Sequence, residues 1–155
     1  MNRLAPGATA PDFALVDQDD QAVALSDLRG KPAILFFYPE AMTPGCTTEA
    51  CDFRDSLAPL QAAGYEVLGI SRDLPEKLRE FRERDHLNFD LLSDPERQAH
   101  EAYGVWGEKQ RNGETVIGVI RSTFVVDEDG RIVQALYDVT PEGHVAGLKQ
   151  LLGVG

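Results

Sequence analysis

Cysteine is scarce: the 155 residues hold only Cys46 and Cys51. Two cysteines make no extracellular disulfide framework. In a reducing compartment a static structural bridge is unusual, so the pair is either inert core or reactive. Basic residues are outnumbered, 15 against 26 acids, for a net charge of −11. Phosphate backbones and anionic membrane surfaces repel such a chain, which argues against nucleic-acid and membrane partners. Long apolar runs are also missing, and the opening MNRLAPGATAPDF has no signal-peptide-like stretch, so a cytoplasmic location is expected. No Gly-x-Gly-x-x-Gly, P-loop or Gly-x-Ser-x-Gly pattern occurs. His86, His100 and His144 are scattered, and without a Cys/His cluster they read as surface or packing residues, not metal ligands.

What remains is an ordinary globular composition, 43% hydrophobic and 26% charged, of a length that fits one domain, residues 1–155. No linker, repeat or low-complexity tract interrupts it. Phe13 and Leu15, then Val23 and Leu25 after an Asp17–Gln21 turn, alternate as paired strands do. Residues 33–38 (AILFFY) and 65–71 (YEVLGIS) read as strands covered on both faces. The Asp73–Glu76 spacing predicts a capping box before a helix carrying Leu78, Phe81 and Leu87. Asp94-Pro95 predicts another helix start, and Thr140-Pro141 the start of a last helix ending near Leu152. Strands at 116–120 and 123–127 precede an Asp129-Gly130 turn and a returning strand over 131–137. The fold class is α/β: a central mixed sheet flanked by helices, with right-handed crossovers.

The chemistry concentrates where the first buried strand gives way to a helix, in Pro39-Glu-Ala-Met-Thr-Pro-Gly-Cys46-Thr-Thr-Glu-Ala-Cys51. Thr43 as cap and Pro44 as first residue put Cys46 in the first turn. Unpaired N–H groups and the positive end of the helix dipole favour thiolate there. Gly45 lets the backbone approach a small ligand. Thr43 either only caps or also donates its hydroxyl to the site; Pro39 either only turns the chain or also shields the sulfur. Cys46, Ala50, Phe53, Leu57 and Leu60 form an apolar stripe, so Cys46 also reads as a small buried hydrophobe. Pro59 predicts a kink or break near Ala58.

The two cysteines are five residues apart. In an intact helix that is a rotation of about 140° and a rise of about 7.5 Å, leaving the Cα atoms roughly 8–9 Å apart. A disulfide needs about 7 Å or less. If the cysteines cycle, the first turns must unwind; if not, the spacing carries no meaning. A Cys-x-x-Cys dithiol is absent, which disfavours a protein disulfide reductase, while a binding module or holdase would not need Cys46.

Pro39-x-x-x-Thr43-x-x-Cys46 resembles the peroxiredoxin active-site motif. The run FYPEAMTPGCTTEAC, with VLGIS (67–71), LNFDLLSD (87–94), YGVWGEK (103–109) and RSTFVVDEDG (121–130), resembles the bacterioferritin comigratory protein or Q-type class over nearly the whole chain. The resemblance implies a thioredoxin-like fold without a bound cofactor, and reduction of hydrogen peroxide or organic hydroperoxides. Cys46 is then the peroxidatic cysteine and Cys51 the resolving one, joined in an intramolecular disulfide that a thioredoxin or similar dithiol reductant reopens. It further implies that Thr43 hydrogen-bonds in the peroxide site, Pro39 shields it, and Arg121 holds the thiolate and polarises the peroxide. Glu49 either pairs with an arginine or is a solvated helix residue. A monomer is expected, since no long exposed apolar stripe demands a dimer.

Overall fold

A computed structural model describes residues 3–154. The chain runs β1 (Ala14–Asp17), β2 (Ala22–Ala24), a 3-10 turn (Leu25–Leu28), β3 (Ala33–Phe37), α1 (Pro44–Ala62), β4 (Glu66–Ser71), α2 (Pro75–Arg84) and β5 (Asp90–Ser93). It continues through α3 (Gln98–Ala102), β6 (Trp106–Arg111), β7 (Glu114–Val119), β8 (Ser122–Val126), β9 (Ile132–Leu136) and α4 (His144–Leu152). Seven strands form one sheet in the order β2-β1-β5-β4-β3-β8-β9, and β6 and β7 form a separate hairpin. β4 pairs parallel with both β3 and β5, while β8 runs antiparallel to β3. The sheet is therefore mixed, as its sequence pattern implies.

β3 and β8 are buried at every position. Alternate residues of β3 feed two cores, as the two-residue period of a strand requires. Ile34, Phe36 and Tyr38 join Phe53 and Leu57 of α1, Leu78 and Phe81 of α2, and Val145 and Leu148 of α4 on one face. Leu35 and Phe37 join Phe13, Leu25, Ala99 and Tyr103 on the other. The Phe36 ring stacks on Phe53 at 4.5 Å between centroids and lies over Gly69, where a Cβ would stand 2.8 Å from its Cζ. That contact seats α1 directly on the sheet.

Several boundaries fall away from their sequence signals. Asp73 does not cap α2: Leu74 is the N-cap with no side-chain bond, and Asp73 Oδ2 instead accepts from the Ala41 N–H and the Ser71 hydroxyl. α3 starts at Gln98, not at Pro95, because Asp94 accepts from the His100 N–H and from its ring. α4 starts at His144 behind Gly143, three residues after the Thr140-Pro141 signal. Leu87 lies beyond α2 yet is buried. The expected break at Pro59 does not occur: α1 runs on to Ala62, and the only N–H the helix forfeits is one that would have bonded Asp55. The strand expected at 116–120 is β7, but the sequence reading has no counterpart for β6 or for the hairpin that joins them, although Asn112-Gly113, both at positive φ, is a strong two-residue turn signal.

Candidate active site

α1 begins at the carboxyl edge of the parallel strands. Its lead-in loop is pinned from the next strand–helix connection. The Ala41 N–H donates to Asp73 Oδ2 at 2.8 Å, and Lys77 Nζ meets Glu40 at 2.6 Å and Asp73 at 3.4 Å. Met42 takes a left-handed turn (φ 67°) and Thr43 an extended one, and Pro44 opens the helix. Cys46 thus sits in the first turn, 1% exposed. The whole stripe from Cys46 to Leu60 is buried.

Arg121, just before β8, reaches across to this turn. Nη2 donates to Cys46 Sγ at 3.4 Å, and Nη1 donates to Glu49 Oε1 at 2.8 Å. Its side chain is 14% exposed, and Glu49 is fully buried one turn beyond Cys46. The Arg121 carbonyl accepts from the Val139 N–H at 2.9 Å, which fixes the base of the side chain. Burial works against the guanidinium charge, but Glu49 and then Cys46 outweigh it and push its pKa above the ordinary arginine range. Burial pushes Glu49 up to about 7, opposed by the charge and hydrogen bond of Arg121. Glu49 Oε2 has no hydrogen-bond partner; His144 Nε2 faces it at 4.0 Å and lies 2.8 Å from Thr123 Oγ1. Burial, then Arg121, pushes His144 below the ordinary histidine value.

Other site residues fall as follows. Thr43 is at the N-cap position, but its hydroxyl makes no capping bond and donates to the Glu40 carbonyl at 2.8 Å. Pro39 follows β3 and is half-buried. Gly45 is closely packed: a Cβ there would stand 3.2 Å from Pro141 Cγ and 3.3 Å from Arg121 Nη2, so one of them would have to give by a few tenths of an ångström. Cys51 is half-buried in the same intact helix and unbridged; burial, with Arg54 opposing, raises its thiol pKa. Among the described residues no group of three or more His, Cys, Asp or Glu could hold a metal ion.

Two residues at this site escaped firm reading from sequence. The sequence leaves Glu49 open between pairing and solvation; the structure buries it, and its place three residues after Cys46 puts it on the inward face. Of the two readings open to His144, surface or packing, the structure shows packing, and nothing local announces that it faces Glu49. A buried cysteine in the first turn of a helix, in contact with an arginine, on a mixed sheet with helices on both faces, fits the thiol-peroxidase class of thioredoxin-like domains. The AhpC/TSA family profile matches residues 6–135, and the chain belongs to that family. Within it the relatives are peroxiredoxins, several of them named Bcp or PrxQ. The chain is 57% identical over 152 residues to a putative peroxiredoxin of Mycobacterium tuberculosis, covering 98% of this chain and 97% of that one. It is 49% identical over 144 residues to peroxiredoxin Bcp of Escherichia coli, covering 93% and 92%. Among solved structures, a cysteine-to-serine variant of Xylella fastidiosa PrxQ aligns at TM-score 0.91 and 30% identity over 99% of this chain and 98% of that one. Peroxidoxin BcpB of Mycobacterium tuberculosis aligns at 0.85 and 34% over 97% of each.

Proposed function

We propose that this peroxiredoxin reduces hydrogen peroxide and organic hydroperoxides by a two-cysteine cycle within one chain, and that it works as a cytoplasmic monomer. Cys46 attacks as thiolate, Cys51 resolves, and a thioredoxin-type dithiol reopens the bridge. One observation carries the reading: a buried sulfur in the first turn of α1 accepts an N–H from a largely enclosed guanidinium, 14% exposed, at 3.4 Å.

The sulfur attacks one peroxide oxygen in line while the other departs. Charge grows on the departing oxygen, where fixed donors of the Arg121 kind act most strongly in a site that excludes water. Alignment between the Pro39–Thr43 loop and Arg121 supplies proximity. The Thr43 hydroxyl, its proton committed to Glu40, keeps lone pairs that accept the peroxide O–H. Cys46 becomes a sulfenic acid, and the departing oxygen takes a proton to become alcohol or water. Cys51 then attacks the sulfenic sulfur, and water leaves.

The direct test mixes fully reduced protein with one equivalent of hydrogen peroxide and follows peptide masses. The expected result is stoichiometric peroxide loss with a Cys46–Cys51 bond in each chain. Peroxide consumption with both thiols intact contradicts the cycle.

Gly45→Ala tests the arginine's part. The added methyl displaces Arg121 Nη2 by a few tenths of an ångström or forces Pro141 aside. Attack on peroxide is expected to slow about tenfold, which is about 1.4 kcal/mol of transition-state stabilisation. Stopped-flow kinetics on the reduced protein reads it; an unchanged rate means that Pro141 gives way instead or that the guanidinium's present position does not matter.

A further inference from the structure

We infer that Glu49 holds the proton that peroxide reduction consumes, carrying it while Cys46 is an anion and losing it once the sulfur is oxidised. This rests on the reading of Cys46 as the attacking thiolate.

The geometry is one cation between two groups that can each be anionic. Arg121 gives Nη1 to Glu49 and Nη2 to Cys46, and both acceptors are buried. A carboxylate and a thiolate together on one guanidinium leave a net negative charge in a water-poor interior, which is expensive. One anion at a time leaves the set neutral.

The surrounding groups offer no second cation to Glu49. From its own helix, Asp52 only adds repulsion. From the end of β3, Tyr38 is fully buried, and burial holds its phenol protonated. From α4, His144 is pushed toward its neutral form by burial and by Arg121. From the β6–β7 hairpin, Lys109 is held by the Val119 carbonyl at 2.7 Å and feels the Cys46 charge; it makes no ion pair with Glu49 among the described residues. Glu49 Oε2, buried and unpartnered, is thus placed as the O–H oxygen of a neutral carboxyl. The carboxyl's value near 7 agrees with that assignment.

Peroxide attack removes the competition. The S–O bond forms, the O–O bond breaks, and the sulfur's charge passes to the departing oxygen. The sulfenic acid is neutral, so Arg121 is left to Glu49 alone. The balance is Cys46–S⁻ plus Glu49–COOH plus R′OOH giving Cys46–SOH plus Glu49–COO⁻ plus R′OH. Atoms and charge are equal on both sides, and the buried set stays neutral throughout. The departing oxygen ends with the proton that Glu49 gives up; Oε2, which His144 Nε2 faces at 4.0 Å, is the oxygen that loses it.

Infrared difference spectroscopy tests this on the Cys51→Ser protein, which halts at the sulfenic acid. At pH 7, adding hydrogen peroxide should remove the carbonyl stretch of one protonated carboxyl and add carboxylate bands, both moving with isotope-labelled glutamate. An indicator dye in weak buffer should record well under one proton taken up per sulfenic acid. Adding Glu49→Gln should abolish the carbonyl loss and raise uptake to one. Mass spectrometry with a sulfenic-acid trap runs in parallel. If the trap finds no sulfenic acid at Cys46, the thiolate reading fails and the proton assignment with it. If sulfenic acid forms and no carboxyl band is lost, the assignment of the proton to Glu49 alone is overturned. The infrared result on Cys51→Ser decides even if Glu49→Gln does not fold.

Discussion

Cys46→Ser is expected to bring peroxide reduction down to the uncatalysed background. A hydroxyl in this position has neither the low proton affinity nor the soft, electron-rich atom that attack on an O–O bond requires. The surroundings do not compensate. Arg121 keeps its bond to Glu49, and the first turn of α1 keeps its donors, but neither can turn an alcohol into a nucleophile at neutral pH. The substitution replaces sulfur by oxygen in a buried stripe and removes no methylene, so the fold should persist with a loss of about 1–2 kcal/mol. Peroxide consumption by the purified variant, with thermal unfolding beside it, gives the answer. Retained turnover in a folded variant removes Cys46 from the chemistry. A binding or holdase activity that survived the change would be a separate property of the fold.

The parts of this site that were legible from sequence are those set by local chain geometry. Thr43-Pro44 opens α1 where the pattern put it, because a proline without a donor N–H fits a position where the N–H has no helical acceptor. The spacing of Cys46, Ala50, Phe53, Leu57 and Leu60 fixed which face is buried. The buried runs of β3 and β4 gave the centre of the sheet. Asp73, Asp94 and Thr140 each sit at a plausible helix start, yet the Asp73 carboxylate is drawn to Ala41 and Ser71, and Asp94 caps α3 from further upstream than its pattern implies, accepting from the N–H and ring of His100, the third residue of that helix. At Asp73 a tertiary hydrogen bond outcompeted the local cap. The reach of Arg121 across 72 residues to Glu49, and the contact of Glu49 with His144, are products of the sheet order, to which single-chain periodicity is blind. The β6–β7 hairpin is different: its Asn112-Gly113 turn was there to be read.

Cys51→Ser should separate the first half of the cycle from the second. In the folded chain the two sulfurs are kept apart twice over. The intact α1 holds their Cα atoms roughly 8–9 Å apart by ideal helix geometry, beyond disulfide reach. Cys51 is also held as a thiol, by burial first and by Asp85, Asp55 and Asp52 in addition, against the pull of Arg54. A thiol is the wrong form to attack a sulfenic acid. Both restraints lift when the first turns unwind. That opening must break the Thr47 N–H bond to Thr43 at 2.8 Å, the Arg84 tether to Thr47 at 2.9 Å and the Arg121 contact to Cys46. Helix ends open at a small fraction of the global unfolding cost, so the barrier is passable. Removing Cys51 leaves the folded site and its first reaction untouched. The variant should consume one equivalent of peroxide per chain at an unaltered rate and then stop with Cys46 as sulfenic acid. Steady-state turnover on a thioredoxin-type reductant should fall on the order of a hundredfold, since resolution loses its intramolecular advantage. Excess peroxide should carry Cys46 on to sulfinic acid faster than in the native chain. Burst kinetics and intact mass read all three, and undiminished steady-state turnover by this variant would show that resolution does not pass through Cys51.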